Sequence, residues 1–92
     1  MTPAMDARPR LAPGCRMGDR SQEPRVLLMP ERALRLNGPS LAIVERCDGT
    51  RTVREIIAEI QQIYSQAEPG QVERDILGYL AQLHDERALD FD

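Results

Sequence analysis

CDGTRTVREIIAEI (Cys47–Ile60) reads as a turn set between two helices. Asp48-Gly49 ends the first, because glycine readily takes the left-handed backbone that closes a helix. Thr52-Val53-Arg54-Glu55 opens the second with the S/T-x-x-E pattern, in which the side chain at each end satisfies a backbone N–H of the other. Behind this cap Val53, Ile56, Ile57, Ile60, Ile63 and Tyr64 recur at helical spacing and make one apolar face, while Glu55, Glu59 and Gln62 take the other.

Upstream, GPSLAIVERC (Gly38–Cys47) has Asn37 as its N-cap and a proline in the first turn, where a missing N–H costs nothing. Leu41, Ile43, Val44 and Cys47 give this helix a broad apolar face. Downstream, a third helix is expected from Pro69 to about Arg87, striped by Val72, Ile76, Tyr79, Leu80 and Leu83. Leu77 lies off that stripe and belongs either to a wide core face or to a second contact surface.

Before the helices the period changes to two. ALRLN (Ala33–Asn37) alternates, with Leu34 and Leu36 on one face and Ala33 and Arg35 on the other. RVLLM (Arg25–Met29) is a strong strand and CRM (Cys15–Met17) a short one. PER (Pro30–Arg32) suits a tight turn, and GDRSQEP (Gly18–Pro24) has loop composition, with a mobile tip expected. Gly18 curtails the first strand, which is expected to be weakly held, leaving Arg8–Glu23 open to extension or to exchange with a second copy. RPRLAPG (Arg8–Gly14) should run extended, because its prolines forbid regular helix. Residues 1–7 are expected to be disordered and 8–92 to form a single domain. The fold class is therefore α+β: a three-stranded antiparallel meander followed by a three-helix bundle, winged helix-turn-helix-like.

A helix-turn-helix raises the question of DNA, and the charges answer it. All 12 basic residues are Arg. Met1–Arg35 holds 7 Arg against 4 acids and Leu36–Asp92 holds 5 against 11, balances of +3 and −6 that make up the net −3. The last helix carries Glu73, Asp75, Asp85 and Glu86 against Arg74 and Arg87, and phosphate would repel it. Nucleic-acid binding is disfavoured.

No catalytic constellation is legible. The single His84 sits among acids on a helix edge without metal-ligand partners, and reads as a solvated helix residue. Cys15 and Cys47 make no CxxC pair, and the reduced state fits a cytoplasmic protein. The N-terminus MTPAMDARPR lacks an apolar signal core, and no run approaches membrane-spanning length. The expectation is a non-enzyme with no cofactor or metal of its own. What remains is an edge: ALRLN offers unpaired backbone groups to a peptide, a covering element or a second copy.

RPRL near the start, VLLMPERALRLN (Val26–Asn37), CDGTRTVREI (Cys47–Ile56) and VERDILGYLAQL (Val72–Leu83), in that order and over about Arg8–Leu89, resemble the pyrroloquinoline quinone (PQQ) biosynthesis protein D family, PqqD. The resemblance implies a peptide chaperone that binds the ribosomal precursor peptide PqqA and presents it to the radical S-adenosylmethionine enzyme PqqE, which would carry the cofactors. It also implies that the peptide adds to the third strand beside the third helix. By position these are Ala33, Leu34, Arg35 and Leu36 on the strand, with Asp75, Ile76, Tyr79, Gln82 and Leu83 on the helix. The protein is expected to be a monomer or a weak, strand-exchanged homodimer. A winged-helix DNA-binding regulator and a small dimerisation module are the alternative readings.

Overall fold

A computed structural model describes residues 2–21 and 23–92. The chain runs β1 (Pro9–Leu11), β2 (Arg16–Met17), β3 (Val26–Leu28), β4 (Ala33–Arg35), α1 (Gly38–Glu45), α2 (Val53–Ile63), α3 (Pro69–Asp85) and β5 (Leu89–Phe91). β2, β3 and β4 form one antiparallel sheet in sequence order, and β1 and β5 form a second, two-stranded one.

The second sheet corrects the expected fold. The sequence reading has RPRLAPG extended without a partner, and ends the chain in helix near Arg87. Instead α3 stops at Asp85, Arg87 takes a left-handed φ of 63°, and the chain turns back to lay LDF against PRL. The alternation of Leu89 and Phe91 about Asp90 is strand spacing, too short to stand out beside a long helix. The first strand is shorter than expected: β2 has two residues, and Gly18 extends its ladder only by donating its N–H to the Val26 carbonyl at 2.9 Å. Arg8–Leu11, which the sequence left free to extend or exchange, is held by β5. Of the loop expected to have a mobile tip, Gln22 lies outside the described residues.

The expected disorder of residues 1–7 also meets a difference. Met1 lies outside the described residues, but Pro3 is buried and Met5 packs against the core. The cause is the start of α2, whose first N–H groups have no helical acceptor. Val53 N–H donates to the Ala7 carbonyl, Arg54 N–H to the Met5 carbonyl, both at 2.9 Å, and Glu55 N–H to the Thr52 hydroxyl at 3.1 Å. The Glu55 carboxylate closes the box on the Thr52 N–H at 2.8 Å, and these bonds hold it below the usual carboxylate range. Thr52→Ala should therefore cost about 1 kcal/mol, measured by denaturant unfolding, and leave ligand affinity of the folded protein unchanged.

The other boundaries follow the local chemistry. Gly49 closes the α1–α2 turn at φ 81° and donates to the Pro9 carbonyl at 2.9 Å, which docks the turn on β1. Asn37 and Ser40 cap α1 reciprocally. Glu68 caps α3 itself, its carboxylate accepting from the Gly70 and Gln71 N–H groups.

The core is aliphatic, as composition requires. Leu27, Leu36, Ile43, Val44, Val53, Ile56, Ile60, Ile76, Leu80, Leu83 and Leu89 are buried in it. Leu77 packs against its edge, which fits the wide-face reading. Ile63 does not join it and is 53% exposed, because α2 ends at that residue and Tyr64 turns in instead. Cys47 is buried with its Sγ 3.3 Å from the Ile43 carbonyl, and burial, helped by the Asp48 carboxylate, pushes its thiol up to about 12. His84 is exposed and stacks on Phe91, with ring centroids 5.0 Å apart. Gly78, in the middle of α3, faces open space, so Gly78→Ala should raise stability by about 0.5–1 kcal/mol in a thermal melt.

Candidate functional site: the β4 edge and the adjoining face of α3

β4 is the edge of its sheet, paired only with β3 among the described residues. Its register is Val26 opposite Arg35, Leu27 opposite Leu34 and Leu28 opposite Ala33. The Met29 N–H donates to the Arg32 carbonyl and the Leu36 N–H to the Arg25 carbonyl, each at 2.8 Å. In an antiparallel ladder bonded and non-bonded pairs alternate. With pairs 29–32 and 25–36 bonded, Leu34 bonds Leu27, and the N–H and C=O groups of Ala33 and Arg35 point away from β3. The free edge thus presents two donors and two acceptors. The side chains obey the same alternation: Leu36 is buried, Leu34 half-buried against the core, and Ala33 and Arg35 are exposed.

Two contacts fix α3 alongside this edge. Arg32, in the β3–β4 turn, pairs with Glu86 just past the C-terminal end of α3, and Glu86 also accepts from Gln82 at 3.0 Å. At the other end of β4, Pro39 in the first turn of α1 and Asp75 of α3 border the same pocket. Burial raises the Tyr79 phenol above its ordinary value. Tyr79 therefore stays neutral near pH 7 and can donate. Asp75, Tyr79, Gln82 and Glu86 recur at helical spacing along one side of α3, so a strip of polar tips on a half-buried aromatic body runs beside the strand.

The expected site residues divide. Ala33, Arg35, Asp75 and Gln82 are exposed, and Leu34 and Tyr79 half-buried. Leu36, Ile76 and Leu83 are core residues, 4%, 2% and 1% exposed. Leu83, expected with Tyr79 to form the apolar floor of the cleft, is therefore a core residue, whereas Tyr79 is half-buried. Residue spacing could have flagged Glu86, one turn beyond Gln82 on the same side. Arg32 carries no such signal, because its partner Glu86 comes from another element. Asp75 and Ile76 also border a separate pocket of about 180 Å³ between α1, α2 and α3. A larger cleft of about 470 Å³ lies at the opposite end of β4, between Pro13, Cys15, Met29–Arg32, Glu86 and Arg87.

Comparisons with known proteins show the family of the chain. Residues 25–89 match the family described as coenzyme PQQ synthesis protein D (PqqD). The chain is 36% identical over 85 residues to the "PqqA binding protein" of Xanthomonas axonopodis pv. citri (strain 306), covering 91% of each chain. It is 39% identical over 83 residues to the bifunctional coenzyme PQQ synthesis protein C/D of Methylorubrum extorquens, covering 89% of this chain and 22% of that one. Among solved structures it is similar to the solution NMR structure of the PqqD truncation of Methylobacterium extorquens PqqCD, described as a functional, stand-alone recognition element for ribosomally synthesized and post-translationally modified peptides. The TM-score is 0.74 at 36% identity, over 98% of this chain and 95% of that one.

Proposed function

Because this chain belongs to the coenzyme PQQ synthesis protein D family, we propose that it binds the precursor peptide PqqA and presents it to the radical S-adenosylmethionine enzyme PqqE. In this reading it is a cytoplasmic adaptor without catalysis, built on a winged helix-turn-helix-like scaffold. The observation that carries the reading is the free edge of β4, with the backbone groups of Ala33 and Arg35 turned outward beside the Tyr79–Gln82 strip of α3. An extended peptide added there gains backbone hydrogen bonds worth roughly 1 kcal/mol each, whatever its sequence, and the helix strip supplies discrimination.

The charge distribution favours this reading over a DNA-binding one. The helical half is acidic, which suits a peptide with cationic residues and repels phosphate. Calorimetric titration with synthetic PqqA should give a saturable one-to-one isotherm, and gel filtration with PqqE should give a ternary complex that contains the peptide. A flat isotherm with folded protein would refute peptide binding. A protein–enzyme complex from which peptide is excluded would refute presentation.

A further inference from the structure

We propose that the pocket between α1, α2 and α3 is an anchor subsite for one aliphatic side chain of the bound peptide, flanked by a Lys or Arg that meets Asp75. The inference rests on the reading of β4 as the docking edge and adds where the peptide goes when the strand runs out. Ile43, Ile60 and Ile76 form an apolar floor, and Pro39, Tyr64 and Val72 the walls. At about 180 Å³ the pocket is smaller than the sites that hold cofactors or drug-sized ligands, and is of the size of a side chain.

Its position supplies the occupant. The pocket opens beside Pro39, in the first turn of the helix that follows β4 (Ala33–Arg35), and beside Asp75, one turn before Tyr79 on the same α3 strip. A peptide added to β4 and continuing past Leu36 runs toward the start of α1, where Pro39 borders the pocket. The Asp75 carboxylate at its rim accepts from Gln71 Nε2 at 2.7 Å and joins no ion pair among the described residues, so it is available to a cation on the peptide.

Ala67, exposed in the α2–α3 connection, lines the mouth and belongs to no core cluster, so Ala67→Trp plugs the pocket without disturbing the floor. The probe is synthetic PqqA of the Xanthomonas relative, titrated into ¹⁵N-labelled protein. Ala67→Trp should weaken binding about tenfold or more, the worth of burying one aliphatic side chain, while the Ala33 and Arg35 amides still shift at saturation. An alanine scan of the peptide should find one aliphatic residue whose loss matters in the parent protein and not in Ala67→Trp. Undiminished affinity in a folded Ala67→Trp protein would overturn the subsite and leave strand addition standing. Silent Ala33 and Arg35 amides in the parent protein would instead overturn strand addition, and with it the placement of the subsite at its end.

Discussion

Arg35→Pro should abolish peptide binding while leaving the domain folded. The Arg35 N–H points away from β3, because the Leu36–Arg25 bond and the register of β3 and β4 place residue 35 in a non-bonded pair. Proline there removes no bond of the existing sheet, and its demand for extended backbone at the preceding Leu34 is already met. The lost donor and the ring filling the space of an incoming strand remove two to three ladder bonds, about 2–3 kcal/mol, or roughly 100-fold in affinity. Arg35→Ala keeps the backbone and should weaken binding only modestly. Leu34→Pro is the matching contrast: it breaks the bonds to Leu27 and should unfold the sheet. Calorimetry with PqqA, alongside thermal melts of the three variants, separates these outcomes. Wild-type affinity in Arg35→Pro would refute docking on this edge.

Leu83→Ala should be the opposite kind of change. The side chain is 1% exposed beneath the α3 strip, so truncation leaves a cavity and costs about 2–5 kcal/mol. In a domain of this size total stability is about 5–15 kcal/mol, so the melting temperature should fall by at least about 10 °C and some of the protein should unfold at 37 °C. Tyr79→Ala, from a half-buried position, should cost less stability and more affinity. Gln61→Ala, which loses a bond to the Pro69 carbonyl at the start of α3, should cost less affinity than Tyr79→Ala. Melts and isotherms for the three variants test this division. If Leu83→Ala were as stable as the parent but bound weakly, the residue would belong to the binding surface after all.

The three helices and β4 were legible because each is written twice, once as periodicity and once as a boundary. Thr52 and Glu55 frame α2, Asn37 and Gly49 frame α1, and Leu34 with Leu36 fixes the inward face of β4. The β1–β5 sheet was not legible, because its strands have three residues each and their nearest ends in sequence, Leu11 and Leu89, lie 78 positions apart. Nothing local in RPRL or LDF names the other as partner. The pinned N-terminus was hidden for the same reason: the orphan N–H groups that hold Met5 and Ala7 belong to α2, more than 40 residues on. The candidate site was legible as a strand and a helix, but not in its depth. An apolar stripe on a helix does not say which member stops at the surface, and only the packing separates Tyr79 from Leu83.

Strand addition on β4 is tested most directly by amide hydrogen exchange across Ala33–Leu36, with and without PqqA. Leu34 and Leu36 already donate to β3 and should be protected in both states, whereas Ala33 and Arg35 should exchange freely alone and become protected in the complex. That every-second-residue gain is the signature of a new antiparallel or parallel neighbour on the outer edge. Unchanged exchange at Ala33 and Arg35 in a saturated complex, with the perturbed amides gathered instead on Thr52–Ser65, would contradict it.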